Sequence, residues 1–150
     1  MENVLNITDD LAVARFEPEP DGFGRIADEG FRSLVSLQTK GEDQKLKPDA
    51  ERRLVEKAGL TFYHQDVSGD SLSDEAVDRF RAELERLPRP VLLHCASGKR
   101  SGAMTMMHVG SKQGMSGDQV IEKAESMGFE CDTPELEDFV RSYVDRHSGD

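Results

Sequence analysis

The stretch Val91-Leu92-Leu93-His94, preceded by Pro88 and Pro90 and followed at once by Cys95-Ala96-Ser97-Gly98, constrains the fold of this chain more than any other. Four residues apolar toward both sides, with helix breakers before and small residues after, suit a central strand of a parallel sheet that is covered above and below. Such a strand needs neighbouring strands and helices on both faces, and the rest of the chain supplies them. Leu11-Ala12-Val13-Ala14, Ser33 to Leu37 and Leu60 to Tyr63 read as further short strands. Between them lie stretches of helical period: FGRIADEG, with Gly30 in the left-handed C-terminal position, and a helix capped by Asp49 that carries Leu54, Val55 and Ala58 and ends at Gly59. The helix before the central strand is capped by Ser73 or Asp74 and buries Val77, Phe80, Leu84 and Leu87. After it, Ser101 to Lys112 reads as helix, and Ser116 with Gln119 forms a capping box for a helix running to Met127. Thr133-Pro134 opens a last helix whose apolar face is Leu136, Phe139, Val140, Tyr143 and Val144. This alternation predicts an α/β class with a mostly parallel sheet, in a single domain over residues 1–150.

Charge narrows the possible partners. Nineteen Lys and Arg against thirty Asp and Glu leave a net charge of −11, a field that repels phosphate backbones and anionic lipid surfaces. Neither nucleic acid nor membrane is expected. The start, MENVLNITDD, lacks the basic end and apolar centre of a signal peptide, so a cytoplasmic location is expected. Cys95 and Cys131 have no metal-ligand spacing, nor do His64, His94, His108 and His147, and no metal or cofactor is expected.

The loop after the central strand carries the chemistry. Where a chain leaves a buried strand and enters a helix, backbone N–H groups converge at the positive end of the helix dipole and make a ready anion site. Ala96, Ser97 and Gly98 are small enough to let the backbone wrap an anion, Gly98 can adopt φ > 0, and Arg100 adds a planar fork for two oxygens. The same field favours the thiolate of Cys95, which becomes a candidate nucleophile facing an anion cradle. The alternative for Cys95 is a small buried hydrophobe at a strand end. His94 either holds the loop and helps keep the thiolate or is a satisfied structural histidine. Lys99 reads as a loop-rim charge, His108 as structural and Cys131 as packing.

The segment HCASGKRS, with the GEDQ loop, AGLTFYHQDVSGDSLSDEAV and RPVLLHC before it, resembles the bacterial beta-lactamase-hydrolase-like, phosphatase-like domain family, within the protein tyrosine and dual-specificity phosphatase superfamily. The likeness covers roughly residues 5 to 112 and is most specific in HC-x-SG-x-RS. It implies a three-layer fold with a four- or five-stranded sheet and a small anionic, phosphorylated substrate. It also implies that Cys95 attacks phosphorus, that the loop amides of residues 96–99 and Arg100 hold the oxygens, and that the Ser101 hydroxyl eases loss of the thiolate.

Two features depart from the superfamily pattern. Four residues, Ala96, Ser97, Gly98 and Lys99, separate cysteine from arginine where tyrosine phosphatases have five. That is the loop length of rhodanese-like sulfurtransferases, in which the cysteine carries a persulfide, so a persulfidated substrate is the second expectation. A third is an anion-binding or redox-sensing module without turnover. The other departure concerns the general acid, for which HQDVSGDSLSDE offers Asp66, Asp70 and Asp74. Asp74 suits a helix start and Asp66 the end of a strand. Asp70 is the candidate, against a reading as a solvated loop carboxylate.

Overall fold

The computed structural model describes residues 1–68, 71–129 and 133–149. In chain order the elements are β1 (Val4–Asn6), β2 (Leu11–Ala14), α1 (Phe23–Asp28), β3 (Ser33–Ser36), α2 (Pro48–Lys57), β4 (Thr61–His64), α3 (Asp74–Arg86), β5 (Val91–His94), α4 (Lys99–Lys112), α5 (Gly117–Ser126) and α6 (Pro134–His147). The five strands form one sheet in the order β1-β2-β5-β3-β4, and all pairs are parallel except β1 with β2. β5 is the central strand, with Val91 opposite both Leu11 and Ser33 and His94 opposite both Ala14 and Ser36.

Side chains on β5 alternate between two cores. Val91 and Leu93 pack with Val13 and Val35 against α3, α4, α5 and α6, where Phe80, Met106, Val120, Tyr143 and Val144 are buried. Leu92 faces the other way with Ala12, Ala14 and Leu34, against Phe23 and Ile26 of α1 and Val55 of α2. This strand needs apolar side chains on both faces because each face is covered by helices. The parallel arrangement also brings every strand except β1 to the same carboxyl edge, where the loops after β2, β3, β4 and β5 meet.

Three local expectations are corrected. β1 is an additional antiparallel edge strand, three residues long and half exposed, with too few apolar positions to be read from the sequence. The cap of α2 is Lys47 with Pro48 in the first turn, because proline's fixed φ suits that position; Asp49 lies inside the turn. β4 ends at His64, so Asp66 stands beyond the strand and is exposed. The other caps follow expectation: the Ser73 side chain accepts from Ala76 N–H, Thr133 from Leu136 N–H, and Ser116 with Gln119 closes a capping box.

Candidate active site

The alternation along β5 continues into the two residues after Leu93. His94 turns toward α2, and Cys95 turns into the core beneath α4. The chain then makes its turn at Gly98, whose φ of 93° lies in the left-handed region, before entering α4. A side chain there would be strained by the backbone and would also meet Arg15 Cα at 3.2 Å and Ala14 O at 3.3 Å. The turn directs Gly98 N–H at the Cys95 sulfur, 3.2 Å away. Ser101 Oγ, one turn into the helix, lies 3.5 Å from the same sulfur and 3.3 Å from Gly98 O. Cys95 is fully buried, yet its sulfur has two polar neighbours, which a cysteine that only fills space does not need. Ala96 and Ser97 form the exposed crest of the loop, and Lys99 is its half-buried first helical residue.

Arg100 is held from two sides. Nη1 donates to Glu42 Oε1 at 2.7 Å and to Val67 O at 2.9 Å, and Nη2 donates to Glu42 Oε2 at 2.8 Å. A guanidinium has five donors in a fixed plane, so these three bonds leave Nε–H and one Nη2–H along a single edge, the geometry for two oxygens of a tetrahedral anion. Glu42 is itself fixed by Thr39, whose N–H and hydroxyl donate to Oε1 at 2.7 and 3.1 Å. The hydrogen bond from Arg100 is the largest influence on the Glu42 carboxyl; it outweighs partial burial and, with Thr39, holds the acid down at about 2. In return Arg100 keeps its proton more firmly, chiefly through Glu42 and further through the nearby Cys95 sulfur.

His94 is buried and points away from the loop's mouth. Its Nε2 lies 2.6 Å from Glu51 Oε2 on α2, and its Nδ1 is 3.4 Å from the Cys95 carbonyl oxygen. The segment after β4 closes another side of the site, since Val67 O is a partner of Arg100. Asp66, next in the chain to Val67, bridges to His64 at 3.1 Å. Asp74 opens α3 and is tied to α6 through Arg146 at 2.6 Å, as suits a helix-end carboxylate. Asp70 and Cys131 lie outside the described residues. Behind Arg100, a cavity of about 210 Å³ is walled by Val67, Leu72, Ala103, Met104, Met107 and Leu136. A larger groove of about 770 Å³ around Phe16, Glu17, Arg25 and Lys45 includes none of the loop residues.

Of the loop residues named from the sequence, Gly98, Arg100 and Ser101 come together at the Cys95 sulfur, while Ala96 and Ser97 stay on the exposed crest. Glu42 and Glu51 escaped that reading because both act across the fold, 58 and 43 positions from their partners. Glu51 did carry a signal: it precedes Leu54 and Val55 by three and four residues, on the stripe of α2 that faces the core.

Residues 3–114 match the family model described as beta-lactamase hydrolase-like protein, phosphatase-like domain. A beta-lactamase hydrolase-like protein of Xylella fastidiosa is 27% identical over 128 residues, covering 85% of this chain; the chain spans about 30% of that relative's length. Among solved structures, Tk-PTP in its active form superposes with a TM-score of 0.80 at 21% identity, over 97% of this chain and 98% of that one. A cysteine-to-serine variant of P. aeruginosa TpbA in complex with phosphotyrosine superposes with a TM-score of 0.75 at 18% identity, over 96% of this chain and 88% of that one. At these identities the superpositions speak for the three-layer α/β fold.

Proposed function

Since the chain belongs to the family of beta-lactamase hydrolase-like, phosphatase-like domains, we propose that it hydrolyses phosphate monoesters through a covalent intermediate on Cys95. The observation that carries this reading is the pairing of Gly98 N–H with the Cys95 sulfur beneath an Arg100 whose Nε edge is left open by Glu42. In the first step the thiolate forms an S–P bond while the P–O bond to the leaving group breaks, and a carboxylic acid gives that oxygen its proton. In the second, water attacks phosphorus, its proton returns to the carboxylate, and the sulfur leaves as thiolate with Ser101 Oγ beside it to donate. The loop amides and Arg100 neutralise the charge that builds on the equatorial oxygens. Asp70 is the proposed acid. Asp66, now outside β4 and beside Val67, is the carboxylate to compare it with.

The four-residue spacing between Cys95 and Arg100 favours a second reading, sulfur transfer. A ring with one amide fewer leaves less to meet three oxygens and is sufficient for a sulfane sulfur. There Cys95 would take the outer sulfur of thiosulfate, releasing sulfite, and pass it to an acceptor such as cyanide to give thiocyanate; no general acid is needed. Intact mass spectrometry after each donor separates the readings. The phosphatase predicts burst hydrolysis of an aryl phosphate, a phosphoryl adduct lost in Cys95→Ser, and an Asp70→Asn variant slowed more with poor leaving groups than with good ones. A sulfur adduct that turns over, with no aryl phosphate hydrolysis above the Cys95→Ser level, would replace the first reading by the second. Absence of both adducts would leave an anion-binding or redox module.

A further inference from the structure

The β3–α2 segment reaches the loop twice, through Glu42 at Arg100 and through Glu51 at His94, on the two sides of the reacting sulfur. Glu51 is the less expected. A carboxylate in the first turn of a helix gains from the dipole while staying in water, and Asp49 in the same turn is exposed. Glu51 is 3% exposed instead, with its oxygen 2.6 Å from a ring that is itself 1% exposed. The Cys95 carbonyl oxygen can only accept, so Nδ1–H is the donor to it, and the Glu51–Nε2 contact shares the remaining proton of the pair. That contact fixes the ring plane and turns Nδ1 to the carbonyl oxygen of Cys95. It therefore joins α2 to the peptide unit that sets the direction of the Cys95 side chain.

We infer that Glu51 is a positioning residue for Cys95, acting through His94 to keep the sulfur on the axis of the loop, under Gly98 N–H. The inference rests on the reading of Cys95 as the reacting residue, whichever group it accepts. Without the tie, the Cys95–Ala96 peptide loses the ring contact at its carbonyl oxygen and can rotate, the sulfur drifts from its amide donor, and a shift smaller than the ~1 Å that costs about a hundredfold is enough to slow the reaction about tenfold. Arg100 does not depend on this tie, because Glu42 and Val67 hold it separately. The two carboxylates therefore divide the work: Glu51 governs the reactivity of the sulfur and Glu42 governs affinity for the anion.

The test compares Glu51→Gln, Glu51→Met and Glu42→Gln in the full chain. Three readouts are taken: alkylation of Cys95 by iodoacetamide, competition of that alkylation by inorganic phosphate, and kcat and KM on an aryl phosphate. Glu51→Met fills the space without an acceptor; it should slow alkylation and kcat by about tenfold, while the phosphate concentration that halves alkylation stays within twofold. Glu51→Gln keeps an acceptor for His94 and should restore both rates to within threefold of the parent. Glu42→Gln loosens the Arg100 plane instead and should weaken phosphate protection and raise KM, neither of which Glu51→Met does. If Glu51→Met lowers only the melting temperature, and the folded protein alkylates at the parent rate, Glu51 is structural and the inference falls. Equal damage from Gln and Met also overturns it, because the acceptor would then not matter. Should Glu51→Met fail to fold, Glu51→Asp, too short to reach Nε2, stands in its place with the same expected slowing. Alkylation needs no turnover, so a parent without phosphatase activity that still shows this split would sink the phosphatase reading and leave the positioning role standing.

Discussion

Arg100 and Lys99 are adjacent cations on the loop, and the proposed function gives them different work. Arg100 spends three of its five donors on Glu42 and Val67 and presents the rest along one edge. A lysine is a point charge with no second parallel donor, so Arg100→Lys loses both the anchored plane and the fork. It should lower kcat/KM on an aryl phosphate by at least about a hundredfold, whereas Lys99→Ala, which removes a charge but no planar contact, should stay within about threefold. Comparable losses in steady-state assays at unchanged melting temperature would mean that the two roles are exchanged. At this scale the sequence was readable wherever partners are close in the chain. Cys95, Gly98, Arg100 and Ser101 fall within one strand-to-helix turn, so their convergence follows from local geometry. The GEDQKLKPD loop reads from sequence either as a border of the cleft or as a solvated rim, because nothing near Glu42 in the chain shows that Arg100 will arrive there.

Helices carry a second network away from the loop, built where α3, α4 and α6 meet. Arg81 on α3 donates through Nε to His108 Nδ1 on α4 at 3.2 Å and through Nη1 to the Tyr143 hydroxyl on α6 at 3.1 Å, and that hydroxyl donates to Asp78 at 2.6 Å. His108 therefore serves as an acceptor in a buried place, and burial, reinforced by the Arg81 charge, pushes its ring down to about 4. Glu85, 3.6 Å from Nε2, works against this, while Lys112 and Arg89 add to it. The native ring is neutral where the unfolded chain's ring already takes up a proton, so this contribution is complete above about pH 6.5 and is lost as pH falls toward 4, amounting to at most about 3 kcal/mol. His108→Gln keeps an acceptor for Arg81 and cannot titrate. Its urea-unfolding free energy should fall less than the parent's between pH 6.5 and 4.5, and parallel curves would show that His108 does not carry the dependence. Elements themselves were legible where period and punctuation agree, as in α3, α5 and α6 with their Ser73, Ser116 and Thr133 caps. They were not legible where pairing alone makes the element. β1 has three residues and owes its existence to β2, and the start of α2 is set by Pro48 although Asp49 is the better capping type.

The whole molecule sets the field through which any substrate must pass. The proposed site holds an anion at contact, but Glu42 meets Arg100 in a bidentate pair, so beyond contact distance the two charges largely cancel. What an approaching anion feels at longer range is then the net charge of −11. Salt shortens the reach of that repulsion, from about 30 Å at 0.01 M to about 8 Å at 0.15 M, without abolishing contacts made inside the loop. Two alkylating reagents with the same chemistry separate the scales: iodoacetate carries a negative charge and iodoacetamide none. Raising sodium chloride from 10 to 150 mM should increase the iodoacetate rate at Cys95 about two- to fivefold and leave the iodoacetamide rate within about 1.5-fold. Glu42→Gln uncovers the Arg100 charge and should shrink or reverse the salt effect for iodoacetate alone. If the parent's iodoacetate rate instead falls with salt while iodoacetamide stays level, Arg100 attracts at a distance despite its partner, and the loop, not the acidic surface, governs the approach of the substrate.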